Sequence, residues 1–133
     1  MSDKVYTTNI TVRSYECDSY SHVNNAVYLN YLEHARMDFL HQIGFEYKKV
    51  VAAGWIMPVT HIDIHYKNSA VLDDELTVES KSVKLGAVSG TIHQIIKKND
   101  GSVCAEAEVT WATVKDGKLT PLPKEYMVDG LKP

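Results

Sequence analysis

The stretch CDSYSHVNNAVYLNYLEHARMDFLHQIG, Cys17 to Gly44, places Asp18 in a polar loop with His22, Asn24 and Asn25, immediately ahead of a long amphipathic run. A carboxylate so placed can take a proton from water or attack a carbonyl carbon itself. The first backbone N–H groups of a helix have no partner inside it and lie at the positive end of its dipole, so one near Asn25 can hold an oxyanion. Hydrolysis at a carbonyl needs both groups. The plainer role for Asp18 is to organise a turn, because Asp and Ser readily bond to nearby backbone. Cys17 is adjacent, but neighbours in an extended chain face opposite ways, which argues against a Cys-His nucleophile.

Other residues carry weaker chemical signals. Glu33 lies further along the same run and is spaced for an i, i+3 pair with Arg36. His61, Asp63 and His65 alternate, so on a strand they share one face at ~6.8 Å intervals, close enough for imidazoles to converge on a metal. The regular apolar partner face and the lack of a fourth ligand favour a polar outer or subunit-interface face instead, and no metal is expected. Tyr28, Tyr31 and Trp55 are packing aromatics by default.

These residues need elements to hold them. From Tyr6, the even positions Tyr6, Ile10 and Val12 are mostly apolar and the odd positions Thr7, Asn9, Thr11 and Arg13 polar, which predicts a half-buried strand. Between Asn25 and Ile43 the apolar set Tyr28, Leu32, Ala35, Phe39 and Ile43 switches to a helical period. Asn24 or Asn25 can cap its start and Gly44 can end it, giving roughly 19 residues and ~28 Å of helix, the only long one. After Pro58, Thr60, Ile62, Ile64 and Tyr66 alternate with His61, Asp63, His65 and Lys67, predicting a second strand. Two more lie between Glu75 and Lys98, broken near Gly86 and Gly90, and Asn99-Asp100-Gly101 turns the chain into a last strand. That strand is the clearest, with Val103, Ala105, Ala107, Val109 and Trp111 on one face. The tail from Asp116 reads as a short turn or helix. One long helix among about five turn-connected strands predicts an antiparallel sheet over that helix.

Composition narrows the function classes. At 133 residues and 44% hydrophobic content, the chain suits one domain. A net charge of −3, with 14 basic against 17 acidic residues and no basic block, argues against nucleic acid. The cysteines, Cys17 and Cys104, form no CxxC pair or dense framework, which fits a reducing cytosol. MSDKVYTTNITV has no apolar leader core and no run of ~18 apolar residues occurs, so a soluble cytoplasmic protein is expected.

The segment 18–36, DSYSHVNNAVYLNYLEHAR, resembles the signature of the 4-hydroxybenzoyl-CoA thioesterase family, including its fatty-acyl thioesterase branch with the HVNN pattern. The resemblance extends more loosely through Tyr66 to Asp74, the strand holding Ser89, and the Asp100-Gly101 hairpin. It implies an α+β hot-dog fold, an antiparallel sheet of about five strands wrapped around one long central helix, over residues 1–133. It also implies acyl-CoA thioesterase activity without a cofactor. Asp18 is then the general base or the nucleophile of a transient anhydride, and the Asn25 backbone N–H is the electrophilic donor. His22 and Asn24 either orient water and Asp18 or are held by loop backbone. Another hot-dog branch uses a helix glutamate about two turns in; with the loop aspartate present, Glu33 is expected to be structural.

On the same resemblance, Tyr28 and Tyr31 lie near enough to the helix start to line an acyl pocket. No phosphate loop is present for CoA, but Lys81, Lys84, Lys97 and Lys98 are available to its nucleotide, and Ser89 matches a serine that contacts ligand in some relatives. Some of those relatives have arginines before that serine, where this chain has Leu85-Gly86-Ala87-Val88, so acyl-carrier-protein thioesters stay open as donors. Two other readings are a non-catalytic acyl-CoA-binding module and a 3-hydroxyacyl-thioester dehydratase. The first lacks an attached DNA-binding segment, and the second does not carry the loop aspartate. A site at one helix end has one wall, so a homodimer, often paired into a tetramer, is implied as well.

Overall fold

The computed structural model describes residues 4–133; the first three residues of the N-terminal segment read above lie outside them. Strand β1, Tyr6–Thr11, leads through a single 3-10 turn at Ser14–Glu16 to helix α1, Asn25–Gln42, and a short helix α2, Tyr47–Ala52. Six or more residues each of β3 (Val59–Tyr66), β4 (Glu75–Leu85), β5 (Ser89–Lys98) and β6 (Val103–Ala112) follow, with two-residue strands β2 (Trp55–Ile56), β7 (Val114–Lys115) and β8 (Lys118–Leu119) around them. The main sheet has five strands in the order β1-β4-β5-β6-β3, every neighbouring pair antiparallel. The short strands make a separate three-stranded sheet, β2-β7-β8.

Helix α1 starts and stops for local reasons. The Asn24 side-chain oxygen accepts the Ala26 N–H at 2.9 Å, so Asn24 rather than Asn25 is the cap. At the far end Gly44 takes φ +79° and its N–H reaches the His41 carbonyl at 3.1 Å, the left-handed stop a glycine supplies without strain. The face carrying Tyr28, Tyr31, Leu32, Ala35 and Phe39 is buried against the sheet. Its partners are the alternate inward residues Ile10 and Val12, Leu76 and Val78, Ile96, and Ala105, Ala107 and Val109. Each large apolar side chain so buried stabilises the fold by about 1.5–3 kcal/mol. A five-stranded sheet against one long helix is the hot-dog arrangement, of mixed α+β class.

Several features differ from expectation. Helix α2 and the β2-β7-β8 sheet are too short for a periodic signal. Gly90 sits inside β5 rather than in a break; the β4–β5 turn is at 86–88. A Cβ at Gly90 would overlap the Trp111 indole, which lies across β5 there. Gly90→Ala is therefore expected to destabilise the protein by about 1–3 kcal/mol, the usual cost of overpacking, read as a lowered urea midpoint. An unchanged midpoint would show that the indole moves freely. The tail is ordered by packing: Leu131 is buried, and its carbonyl accepts the Ser82 hydroxyl at 2.5 Å. Among the described residues, no helix is long and apolar enough to cross a membrane.

Candidate active site

The loop ahead of α1 is a narrow hairpin. Its base is closed by the Asn24 N–H donating to the Glu16 carbonyl at 3.0 Å, and a bridge joins Cys17 to Val23. The Asp18 N–H donates to the His22 carbonyl at 2.8 Å, the Ser21 N–H returns to the Asp18 carbonyl at 3.0 Å, and Ser21 takes φ +65° at the tip. The hairpin is stitched to the β3–β4 connection, where Val23 N–H meets the Ala70 carbonyl at 2.9 Å and His22 bridges Val71.

Within this hairpin Asp18 does what a turn-forming aspartate does: Oδ1 accepts the Tyr20 N–H at 2.9 Å and the His22 N–H at 3.3 Å. The other oxygen, Oδ2, has no protein donor among the described residues, and the side chain is exposed. One oxygen anchors the carboxylate and the other is free to act. The Asn25 N–H likewise has no protein acceptor among the described residues, as expected for the first residue of a capped helix. The imidazole of His22 is exposed and makes no hydrogen bond among the described residues.

Beside Asn25 lies a depression of ≈ 270 Å³ lined by Val23, Asn25, Tyr28, Tyr66, Lys67 and Asn68 with Ser69. Tyr66 donates to the Asn25 carbonyl at 3.0 Å, tying the end of β3 to the helix start. Tyr28 is buried against Tyr66, ring centroids 5.5 Å apart, and its hydroxyl oxygen accepts the Ala70 N–H at 2.9 Å. Burial pushes its phenol above the ordinary range. The Cys17 thiol is also pushed up, by partial burial and then by Glu16 and Asp18, which disfavours its thiolate.

Behind the hairpin is a buried charge. Glu16 is 7% exposed, and its carboxylate accepts four hydrogen bonds: Arg13 N–H at 2.7 Å, Arg13 Nε at 3.1 Å and Nη2 at 2.7 Å, and the Tyr31 hydroxyl at 2.9 Å. Burial alone would raise this carboxyl, but the Arg13 and Tyr31 donors outweigh it and hold the group below the ordinary range. Tyr31, 2% exposed, is correspondingly driven well above the usual phenol range, first by burial and then by Glu16. Its hydroxyl is thus committed to Glu16 and not turned toward the depression. Glu16 had only one sequence signal, the i, i+3 spacing from Arg13; its burial depends on contacts distant in the chain.

Lys84 and Ser89 lie elsewhere. Thr11 pairs Glu75, Leu76 pairs Lys98 and Tyr66 pairs Ala105 at the sheet end near Asp18, whereas Leu85 pairs Gly90 and Ser89 pairs Ala112 at the other. Strands of ten residues separate those ends by ~33 Å. One chain therefore does not bring Lys84 or Ser89 to Asp18. At that far end a mostly apolar pocket of ≈ 120 Å³ opens between α1 and the sheet, lined by Met37, Leu40, Met57, Val59 and Trp111 and also by the charged Glu33 and Arg36. The expected Glu33–Arg36 ion pair is not formed; Arg36 Nη1 donates instead to Gln94 Oε1 at 3.2 Å, Gln94 being fully buried. His65 Nε2 lies 3.0 Å from Asp63 Oδ1 on the exposed face of β3. Among the described residues no cluster of His, Cys, Asp and Glu is placed to hold a metal ion.

The hot-dog fold, with a carboxylate hairpin ahead of its long helix, is here that of a thioester hydrolase, as the family it belongs to and its relatives show. The chain belongs to the thioesterase-like superfamily, which it matches over residues 12–129. It is 39% identical over 108 residues to the long-chain acyl-CoA thioesterase FadM of Escherichia coli (strain K12), covering 80% of this chain and 81% of that one. Among solved structures it is similar to the probable thioesterase YbaW from Escherichia coli, with a TM-score of 0.77 at 36% identity, covering 90% of this chain and 92% of that one. A hypothetical protein from Staphylococcus aureus in complex with CoA has the same fold, with a TM-score of 0.86 at 18% identity, covering 95% of this chain and 81% of that one.

Proposed function

We propose that the protein hydrolyses acyl-CoA thioesters, as the fatty-acyl HVNN branch of the 4-hydroxybenzoyl-CoA thioesterase family does, with residues 1–133 acting as one cytoplasmic domain. The observation that carries this is the free Oδ2 of Asp18 in a hairpin pinned directly to the helix start, where the Asn25 N–H lacks a protein acceptor. The thioester carbonyl oxygen accepts a hydrogen bond from Asn25 N–H, which strengthens as that oxygen becomes an oxyanion. Asp18 takes a proton from water as it adds to the carbonyl carbon, or adds itself to form an anhydride that water then opens. Either way the C–S bond breaks, CoA leaves as thiol, and the acyl group leaves as a carboxylic acid. His22, exposed on the same hairpin as Asp18, orients the water, and Tyr28 and Tyr66 form the wall.

The second wall comes from a second copy. The sheet order leaves β3 at an edge, with unpaired backbone and half-buried Ile62 and Ile64 along it; Val59 is 41% exposed. Two-fold antiparallel pairing of β3 sets the Tyr66 end of one copy beside the Val59 end of the other. The far-end apolar pocket and the hairpin carrying Lys84 and Ser89 then approach the other copy's Asn25. The acyl chain enters that pocket, and Lys84 and Ser89 meet the CoA side.

Thiol release from a panel of acyl-CoAs and matched acyl-carrier-protein thioesters tests the assignment. Saturable release is expected from fatty-acyl-CoAs, and apolar chains should outpace acetyl-CoA. No release from any acyl-CoA, with tight binding preserved, would make the protein a binding module.

A further inference from the structure

The Glu16–Tyr31 bond has no role in the hydrolytic scheme as described, yet it joins the two elements whose spacing that scheme depends on. Glu16 precedes Asp18 on one leg of the hairpin, and its own carbonyl receives the Asn24 N–H at the base of the other leg, one residue before Asn25. Its carboxylate is held from two sides, by three Arg13 donors on the approach to the hairpin and by Tyr31 from inside α1. Tyr31 in turn is fully packed, edge-on to Tyr28 at 6.1 Å between ring centroids, and Tyr28 holds the Ala70 N–H. Ala70 is the residue whose carbonyl accepts the Val23 N–H. The chain of contacts therefore closes on itself: hairpin leg, helix interior, neighbouring tyrosine, β3–β4 connection, and the other hairpin leg.

A charged carboxylate in such a place is costly to bury and is retained only where its donors are in place. A core would be filled more simply by an apolar residue. What Glu16 adds is direction: the three Arg13 bonds fix its side chain to the approach of the hairpin, and the Tyr31 bond ties that fixed point to the interior of α1.

We propose that Glu16 and Tyr31 are positioning residues for hydrolysis, setting the separation of the Asp18 carboxylate from the Asn25 N–H without touching substrate. The proposal rests on the assignment of Asp18 and Asn25 made above. Misplacing reacting groups by about 1 Å costs up to ~10²-fold in rate, so losing one of four bonds is expected to lower kcat by roughly 10- to 30-fold.

The test is a double-mutant cycle on acyl-CoA hydrolysis with Tyr31→Phe, Glu16→Gln and Asp18→Asn. Tyr31→Phe and Glu16→Gln should each lower kcat by roughly 10- to 30-fold with KM within about 3-fold of wild type. In the Asp18→Asn background, Tyr31→Phe should cost less than about 3-fold more, because a residue acting through Asp18 has nothing left to position. Thr8→Val, which removes another buried hydroxyl bond, to Asp38, controls for loss of stability and should leave kcat unchanged at a matched drop in melting temperature. Additive losses, or equal losses in Thr8→Val, would overturn the positioning role while leaving the Asp18 assignment intact. Near-normal turnover in Asp18→Asn would instead overturn the assignment itself. Should Glu16→Gln fail to fold, Tyr31→Phe, which keeps the ring and its packing, carries the cycle alone.

Discussion

Asp18→Asn is expected to lower turnover of an acyl-CoA by at least ~10²-fold while leaving acyl-CoA binding within a few-fold of wild type. The amide keeps the carboxylate's size, and its carbonyl oxygen can still accept the Tyr20 and His22 N–H groups that Oδ1 accepts now. The hairpin should therefore keep its shape. What is lost is the basic and nucleophilic oxygen, so the effect should fall on kcat and kcat/KM alike, the sign of a group that acts only in the transition state. The matched control is Glu33→Gln. Glu33 is exposed on α1 and lines the far-end pocket, where glutamine keeps its size; it makes no ion pair with Arg36, and its change should cost under about 3-fold. Stopped-flow thiol release and equilibrium binding on the same preparations decide the matter. The reverse ranking would move the catalytic carboxylate from the hairpin to the helix.

The parts of this site that were legible in the sequence are those fixed by near neighbours. Asn24 caps because the bond from its side chain to the Ala26 N–H spans two residues, and Gly44 stops the helix for an equally local reason. Alternation placed β1, β3 and β6 because one face of each meets the core and the other does not. Gly90 shows the limit of such reading. A glycine between apolar runs signals a break, whereas here it clears room for an indole one strand away. Glu16, Gln94 and Arg36 were obscure for a related reason. The partners of a buried polar group, Tyr31 for Glu16 or Leu32 and Ser80 for Gln94, are set by tertiary packing, and nothing in local period announces them. Lys84 and Ser89 fall at the far sheet end because the sheet's register, not distance along the chain, sets which residues meet.

That separation generates the sharpest consequence of the two-copy site. If each site takes Asp18 and Asn25 from one copy and the Met57–Val59 pocket from the other, Asp18→Asn and Met57→Arg damage different halves. The first removes the reacting carboxylate; the second fills a small, mostly apolar pocket with a longer, charged side chain and leaves no apolar room for an acyl chain. Each homodimer should retain at most about 1% of wild-type activity, on the scale of losing a positioned base. When the two chains are unfolded and refolded together in equal amounts, random pairing makes half of the dimers mixed. In each mixed dimer one site carries both changes and the other carries neither, so about a quarter of all sites are intact. Activity should rise to about a quarter of wild type, at least an order of magnitude above either parent. A site built within a single copy makes the opposite forecast, because every chain then keeps its own defect and mixing restores nothing. Sedimentation of the mixed sample identifies the species: recovered activity must travel with a dimer or larger, and a fully active monomer of 14.9 kDa would eliminate the shared site.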